Sequence, residues 1–184
     1  TTGHPRRAAT RRPNVVAPAG WDASISHSGS VVAVAVTDAG RVGVDVEAID
    51  DERVIVGDVV NELVDVVCTP HERAAVHDHA ALLSVWCRKE AVLKATGEGL
   101  RRAMTELVVT APHAPAGLVA LDGSPAGDAR WTLTDLKIAG HAGAVAVAVN
   151  AQRLHATVDC TIIDADRTDA SLVLNPAKEP TWPN

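Results

Sequence analysis

The hydrophobic and polar positions predict a group of strands between residues 21 and 49. The segment "WDASISHSG" alternates between polar and apolar residues, "VVAVAVT" is continuously apolar, and "RVGVDVEAI" alternates again. Alternation with a period of two is typical of a half-buried strand, and a short apolar run fits a buried one. Because "DAG" leaves room only for a turn, we expect adjacent antiparallel strands here.

The middle of the chain predicts helices. "GDVVNELVDVV" has helical spacing. In "CTPHERAAV", Thr69 is an N-cap, Pro70 occupies the first helical position and Glu72 completes a capping box. After Asp78, the segment "HAALLSVWCRKEAVLKATG" predicts a helix of about five turns that ends at Gly97.

The rest of the chain returns to strand patterns separated by Pro and Gly turns. No repeat of about 20 to 50 residues is visible, which excludes a solenoid. Strand clusters on either side of a helical middle predict two α+β lobes. The further strand segments are "TELVVTAP", "GLVALDG", "RWTLTDLKI", "AGAVAVAVN" and "LHATVDCTIIDA".

Composition restricts the class of protein. Hydrophobic residues make up 47% and charged residues 22% of the chain, which fits a folded domain rather than a disordered one. There is no Phe or Tyr, so the core has to be built mainly from Val, Leu, Ile and Ala. The net charge of −6 argues against general nucleic-acid binding, which needs a basic surface.

The cysteines and the apolar runs indicate an environment. The three cysteines show no C-x-x-C spacing, so neither a disulfide framework nor a zinc site is indicated, and we expect a reducing cytoplasm. No apolar run reaches the roughly 18 residues of a membrane span, and no signal-peptide pattern opens the chain, so we expect no membrane partner.

Two pairs of charged residues carry the candidate chemistry. Asp45 and Glu47 lie two apart on a predicted strand, so both carboxylates point to one face while Val44 points to the core. Glu90 and Lys94 are neighbours on one helix face. Taken separately, the first pair is also compatible with a solvated strand edge and the second with a surface salt bridge.

A polar strand end adds a third signal. In "SISHSG", Ser26 and His27 are positioned to receive a phosphate, although a lone His is often structural. Asp45, Glu47 and Glu90 together form a hard oxygen site of the kind that Mg²⁺ prefers. A lysine in such a site neutralises charge on a phosphoryl group.

These segments resemble the 4′-phosphopantetheinyl transferases of the Sfp type. The resemblance rests on "SISHSG", "VGVDVE" and "WCRKEAVLKATGEGL" in the family's order, and on "RRPNVVAPAGWDAS", which is similar to the preceding G-[KR]-P segment. It covers about residues 11 to 150. The resemblance implies an α+β fold of two similar lobes with antiparallel sheets and a long helix.

The same resemblance implies a division of the chain. We expect the N-terminal lobe to be incomplete in this sequence. The expected segments are a basic, Pro-rich arm at 1–20, the remainder of the N-terminal lobe with the metal-site strand at 21–48, the C-terminal transferase lobe at 49–150, and a C-terminal strand and tail at 151–184.

The resemblance also implies an activity and its metal. Such enzymes are holo-[acyl-carrier-protein] synthases: they transfer the phosphopantetheine arm of coenzyme A to a serine of an apo acyl or peptidyl carrier protein and release adenosine 3′,5′-bisphosphate. Asp45, Glu47 and Glu90 are the implied ligands of Mg²⁺ on the pyrophosphate. Glu90 is also implied to take the proton of the attacking serine, directly or through a metal-bound water.

Further residues are implied to contact coenzyme A. Lys94 would bind the transferred phosphate or assist the leaving phosphate. Ser26 and His27 would contact the 3′-phosphate, and Arg12 would take the place of the basic residue of G-[KR]-P. Lys89 is interpreted as a supporting charge, and Trp86 as a packing anchor.

Two alternatives remain open from the sequence. A truncated form could dock a carrier protein through the apolar segment "VIVGDVVNELV" without catalysing transfer. A Mg²⁺-dependent phosphohydrolase could use the same carboxylates with water as the nucleophile. The resemblance otherwise implies a cytoplasmic monomer.

Overall fold

The computed structural model describes residues 19–49, 58–125, 131–149 and 158–164, and they form an α+β fold, as predicted. The helices are α1 (Asp58–Val67), α2 (Pro70–Arg73) and α3 (His79–Thr96). The strands are β1 (Asp22–Ser28), β2 (Val31–Thr37), β3 (Gly40–Ala48), β4 (Leu107–Val109), β5 (Leu118–Leu121), β6 (Ser124–Pro125), β7 (Trp131–Asp135), β8 (His141–Val149) and β9 (Val158–Asp164). Two 3₁₀ turns, Gly99–Arg101 and Met104–Glu106, lead from α3 to β4.

Two of the antiparallel sheets exchange strands between distant parts of the sequence. The hairpin β1–β2 is extended by β9, and the hairpin β7–β8 is extended by β3. Each hairpin therefore pairs with the strand that follows the other hairpin. Strands β4, β5 and β6 form a separate small sheet. The exchange joins the segments expected at 21–48, 49–150 and 151–184 by backbone hydrogen bonds.

Strand β3 does not pair with β2, and the prediction of three adjacent strands is wrong at this point. β1 and β2 are antiparallel partners, whereas β3 pairs with β8 from Gly40↔Val149 to Ala48↔His141. The residues from Val42 to Val46 are buried whichever face of the strand they occupy. A short turn can lead into a second packed sheet as well as along one sheet, and turn length alone does not distinguish these outcomes.

The edge of β3 that faces away from β8 is covered by side chains of β1. Polar residues recur at alternate positions of β1, and each accepts a backbone N–H of β3. The contacts are Val42 N to Asp22 Oδ2 at 2.8 Å, Val44 N to Ser24 Oγ at 3.1 Å, Val46 N to Ser26 Oγ at 3.3 Å and Ala48 N to Ser28 Oγ at 2.9 Å. A buried N–H without an acceptor is costly, so this "β1 ladder" allows the strand edge to be buried.

The second sheet lies between the first sheet and α3. Alternate residues of β8 contribute to different cores: Val145 and Val147 pack with β2 and β3, whereas Ala144 and Ala146 pack with α3. Small side chains on the helix-facing side keep α3 close to the sheet. The cores consist mainly of Val, Ala and Leu, as the composition predicts.

Helix α3 begins and ends at the predicted signals. The Asp78 side chain accepts a hydrogen bond from Ala81 N at 2.7 Å, and Gly97 ends the helix in the left-handed region with φ 80°. The predicted capping box of Thr69 and Glu72 opens α2. Trp86, on α3, packs against the hydrophobic core, as expected. In the described parts of the chain, no helix is long and apolar enough to cross a membrane.

Candidate active site

Gly43 allows α3 to lie directly against β3. The atoms nearest to a Cβ at position 43 would be Ala91 O at 1.9 Å, Ala95 N at 2.6 Å and Lys94 Cβ at 2.8 Å. No side chain fits in that space, so this approach requires glycine. Asp45 and Glu47 follow at alternate positions of the same strand and therefore face the same helix. The contact brings these carboxylates to the face of α3 that carries Glu90.

Lys94 connects the helix to the strand. Its Nζ donates to Asp45 Oδ1 at 2.6 Å, to Val44 O at 2.9 Å and to Ser26 Oγ at 3.2 Å. The Asp45 side chain is 6% exposed, whereas that of Lys94 is 25% exposed. The ammonium therefore neutralises a buried carboxylate, and its three hydrogen bonds use all three of its protons.

Two carboxylate oxygens at this contact have no hydrogen-bond partner. Asp45 Oδ2 and Glu90 Oε1 are both buried and unsatisfied. A buried polar atom without a partner costs about 1 to 3 kcal/mol, and more when the group is charged. A bound ion or water is one explanation for such atoms in a native structure, and a catalytic role is another.

The carboxylates also influence one another electrostatically. Burial, followed by the charge of Asp45, raises the pKa of Glu90 to about 7; Glu47 raises it further and Lys94 opposes the shift. Burial and the charge of Asp45 also raise the pKa of Glu47, against the effects of a Ser28 hydrogen bond, Lys94 and His27. Glu47 and Glu90 therefore both lie close enough to Asp45 for its charge to raise their pKa values.

The donor set fits a hard divalent cation. Carboxylate oxygens are the protein ligands that Mg²⁺ prefers, and a cation would satisfy the unpartnered oxygens of Asp45 and Glu90. Across residues 19–49, 58–125, 131–149 and 158–164, no three His, Cys, Asp or Glu side chains already surround a point closely enough to hold a metal ion. In this arrangement Lys94 supplies the positive charge at Asp45.

The structure brings together most of the site residues that the sequence predicts. Ser26 Oγ donates to Asp45 Oδ1 at 2.9 Å, so Ser26 contacts the carboxylate group directly. His27 points to the other side of β1 and is exposed, although it is near enough to influence the pKa of Glu47. Arg12 lies outside the described residues.

Two fully buried cations of α3 hold the surroundings of the site. Lys89 Nζ donates to Glu72 Oε2 at 2.6 Å and to the carbonyls of Val67 and Met104 at 2.8 Å and 3.1 Å. Arg88 binds Asp135 through two nitrogens, at 2.8 Å and 2.6 Å, and also donates to backbone carbonyls between residues 110 and 114. Both side chains are 0% exposed, which agrees with a supporting role for Lys89.

Cys87 lies beside the site but is poorly suited to act as a nucleophile. Its Sγ is buried and lies 3.6 Å from Ala142 O. Burial, followed by the charge of Asp45, raises the pKa of the thiol well above its ordinary value, which keeps it protonated. All three cysteines are free thiols, as the sequence predicts.

The sequence placed Ser28 in the polar strand end that can receive a phosphate, but it indicated no contact with Glu47, and it assigned no role to Ser24 or Gly43. Ser28 Oγ donates to Glu47 Oε2 at 3.1 Å, and Ser24 belongs to the β1 ladder. A signal was present in "DASISHS", where Asp22 and three serines occupy every second position. Such a pattern is also typical of a strand with a solvated face, so only the packing of β1 on β3 distinguishes the two cases.

Comparisons with known proteins place the chain among relatives. A model of the 4′-phosphopantetheinyl transferase superfamily matches residues 41–149. The crystal structure of Helicobacter pylori holo-[acyl-carrier-protein] synthase (AcpS) in complex with coenzyme A is 19% identical in sequence, with a TM-score of 0.48, and the match covers 59% of this chain and 99% of that chain. No curated protein matches this chain in sequence.

Proposed function

The chain belongs to the 4′-phosphopantetheinyl transferase superfamily, and we propose that it transfers the phosphopantetheine arm of coenzyme A to a serine of an apo acyl or peptidyl carrier protein. The observation that carries this proposal is the site at the contact of α3 and β3. There, Asp45 and Glu90 present buried, unpartnered oxygens beside the ammonium of Lys94, whose side chain is partly exposed. All of these residues lie within the segment that matches the superfamily.

Asp45, Glu47 and Glu90 are proposed to hold Mg²⁺. When bound, the ion polarises the pyrophosphate of coenzyme A and stabilises the leaving phosphate. The residues of the chain provide buried carboxylates, and such a cation would bind the oxygens that lack a hydrogen-bond partner. Asp45 Oδ2 and Glu90 Oε1 are the atoms that gain most, because each is buried without a hydrogen bond.

Glu90 is proposed to be the general base. In the metal-free chain, burial raises the pKa of Glu90 to about 7, and a bound cation would favour its ionised form, which is the form that accepts a proton. The serine oxygen of the carrier forms a bond to the β-phosphorus of coenzyme A, while the bond from that phosphorus to the bridging oxygen breaks. The serine proton goes to Glu90, and adenosine 3′,5′-bisphosphate leaves with the bridging oxygen.

Lys94 and His27 are proposed to bind phosphates of coenzyme A. The side chain of Lys94 is partly exposed and its ammonium lies beside the carboxylates, so it would exchange one of its three hydrogen bonds for the transferred or the leaving phosphate. His27 is exposed at the adjacent strand and is assigned the 3′-phosphate, together with Arg12. The part of Ser26 in that contact stays a prediction, because its hydroxyl is engaged with Asp45.

The Sfp type is the proposed subfamily. The segment "SISHSG" precedes the residues that match the superfamily model, yet β1 supplies hydroxyl groups to both carboxylates of β3. This contact gives the motif a place in the site and supports the assignment. We also propose that the chain acts in the cytoplasm as a monomer. Analytical ultracentrifugation tests the monomeric state.

The proposed activity is tested with coenzyme A, Mg²⁺ and apo carrier proteins of the acyl and peptidyl types. Intact mass spectrometry should detect one added phosphopantetheine on the carrier, and chromatography should detect an equal amount of adenosine 3′,5′-bisphosphate. A carrier whose acceptor serine is replaced by alanine is the control for the site of attachment. EDTA should abolish the reaction, and Asp45→Ala should do the same.

The other outcomes separate the alternatives. Free phosphopantetheine with an unmodified carrier would replace the proposal with hydrolysis. A folded chain that binds carrier protein but leaves both substrates unchanged would indicate a docking module. Full transfer by Asp45→Ala would overturn the metal assignment while retaining the activity.

A further inference from the structure

We infer that Ser26 and Ser28 are positioning residues that fix the carboxylates of Asp45 and Glu47 for cation binding. This inference rests on the proposed function, because it takes these carboxylates as the metal ligands. It concerns the hydroxyl groups of β1, which touch the carboxylates rather than the reacting atoms.

The two serines make the same pair of contacts, one step apart along the strands. Ser26 Oγ accepts Val46 N–H and donates to Asp45 Oδ1. Ser28 Oγ accepts Ala48 N–H and donates to Glu47 Oε2. Each hydroxyl therefore binds the carboxylate of one residue and the backbone N–H of the next residue. This repetition follows from the equal pleat of the two strands.

The backbone contact decides the direction in which each hydroxyl donates. A hydroxyl group has one proton and two acceptor lone pairs, so an oxygen that receives an N–H directs its proton elsewhere. The Ser26 oxygen also receives Lys94 Nζ at 3.2 Å, which fills its acceptor capacity. Its single proton is thus committed to Asp45, in a charge-assisted hydrogen bond.

At Asp45, the hydroxyl leaves the second carboxylate oxygen for a ligand. Ser26 and Lys94 both bind Oδ1 of Asp45, and Oδ2 stays buried without a partner. A carboxylate held by one oxygen cannot rotate freely, so the second oxygen keeps its direction. Partners of this kind around a metal site typically change its affinity about 10- to 100-fold.

Ser24 provides a matched control within the β1 ladder. It accepts Val44 N–H at 3.1 Å, as its neighbours accept theirs, and it is 6% exposed. Ser26 and Ser28 each bind a carboxylate, at Asp45 and Glu47. The residue at the equivalent position beside Ser24 is Gly43, which has no side chain to orient. Ser24→Ala therefore removes the structural part of the contact alone.

The test measures Mg²⁺ affinity by isothermal titration calorimetry, without coenzyme A or carrier. Ser28→Thr and Ser28→Val have nearly the same shape, so they differ chiefly in the hydroxyl. We expect Ser28→Thr to bind Mg²⁺ like the wild type and Ser28→Val to bind it about 10-fold more weakly or worse. Ser26→Ala should also lose affinity, whereas Ser24→Ala should keep it even if its thermal stability falls.

Each outcome bears on a different statement. Equal Mg²⁺ affinity of Ser28→Val and Ser28→Thr would overturn the inference and leave the proposed transferase intact. So would an affinity loss in Ser24→Ala as large as that in Ser26→Ala, because it would show a general effect of the ladder. A wild-type chain that binds no Mg²⁺ would overturn the metal assignment of the proposed function, and the inference with it.

Discussion

At Glu90, the burial that raises the pKa of the carboxyl group also destabilises its ionised form. It is 8% exposed, one of its oxygens has no partner, and its pKa is about 7. An ordinary glutamate at the protein surface would be fully ionised at neutral pH and would be a weak base. The same burial that raises the pKa of Glu90 therefore suits it to accept a proton and makes its ionised form unfavourable.

The titration of Glu90 predicts how stability depends on pH. Its pKa is about 7 in the folded chain, against an ordinary value of 4.5, so folding favours the protonated form. This contribution is fully present below pH 4.5 and is lost as pH rises through about 7. In EDTA, we expect Glu90→Gln to gain stability relative to wild type as pH increases from 5 to 8, measured by urea denaturation at each pH.

The matched control for this experiment is Glu98→Gln. Glu98 lies near the end of the same helix, and its hydrogen bond to Arg102 lowers its pKa. Removing this group should not produce a relative gain at high pH. A constant difference between wild type and Glu90→Gln from pH 5 to pH 8 would contradict the assigned pKa.

His27 gives a second prediction at the residue scale. It is exposed and makes no contact with the unpartnered oxygens, so His27→Ala should leave Mg²⁺ affinity unchanged. If His27 binds the 3′-phosphate, the variant should raise KM for coenzyme A with a smaller change in kcat. The comparison substrate is 3′-dephospho-coenzyme A, for which wild type and variant should have the same KM. A different KM for that substrate would place His27 elsewhere.

At the scale of elements, the site depends on the closeness of α3 and β3. Asp45 and Glu90 belong to different elements and face each other only because Gly43 carries no side chain. A larger residue there would separate the helix from the strand along the whole site. The geometry of the carboxylates is thus a consequence of backbone packing.

Gly43→Ala should therefore be strongly destabilising. The new Cβ would lie 1.9 Å from Ala91 O, which belongs to helix backbone and cannot move alone. Overpacking typically costs about 1 to 3 kcal/mol, and a contact this short lies at or above the upper end of that range. We expect a large loss of free energy of unfolding or a failure to fold. Gly143→Ala is the graded control, because its new Cβ would lie 3.2 Å from the nearest atom, Asp45 O. This substitution should lower the free energy of unfolding clearly less than Gly43→Ala. Equal losses would contradict the close-approach argument.

The buried pair of Lys89 and Glu72 joins α3 to α2 and to β4. Glu72 accepts Val109 N at 2.8 Å and Thr69 N at 2.7 Å in addition to Lys89. Burial lowers the pKa of Lys89, and the hydrogen bond and charge of Glu72 oppose that shift. Both charges therefore depend on the pairing.

Removing only the lysine should expose this dependence. Lys89→Met leaves the Glu72 charge buried, which typically costs about 3 to 5 kcal/mol. Adding Glu72→Gln should recover part of the loss, because the remaining group is neutral. Both are measured by chemical denaturation. Arg73→Met, at an exposed ion pair with Asp65, is the control and should change stability little. A small loss in Lys89→Met would refute the role of the pair.

At the scale of the whole molecule, the net charge of −6 is relevant to the proposed partner. Carrier proteins are commonly acidic, so the overall field does not attract them and recognition has to depend on local contacts. Salt screens repulsion between exposed like charges, with a Debye length of about 10 Å at 0.1 M. An acidic partner therefore approaches no less readily when salt is added.

This charge balance predicts the salt dependence of transfer. Raising NaCl from 0.05 to 0.3 M should leave kcat/KM for the carrier unchanged or increase it, at saturating coenzyme A and Mg²⁺. A neutral peptide that carries the acceptor serine is the control for effects of salt on the site itself. A steep fall of kcat/KM that is confined to the carrier would show steering by a basic patch instead.

Local signals in the sequence were enough to predict most helices and strands and to single out the charged residues of the candidate site. The period of two in β3, the capping box at Thr69 and the αL glycine at position 97 act over a few residues, so each is readable without the fold. The side on which Asp45 and Glu47 lie follows from the same alternation. The family motifs gave the expected chemistry for these positions.

The tertiary structure alone decided the partners of these residues. The exchange of β3 and β9 between hairpins, the β1 ladder and the pairing of Lys94 with Asp45 join residues that are far apart in sequence. A strand pattern specifies which face is buried but not which strand lies beside it, because many pairings satisfy one alternation. The raised pKa of Glu90 likewise depends on burial and on Asp45, and both arise only when α3 packs on β3.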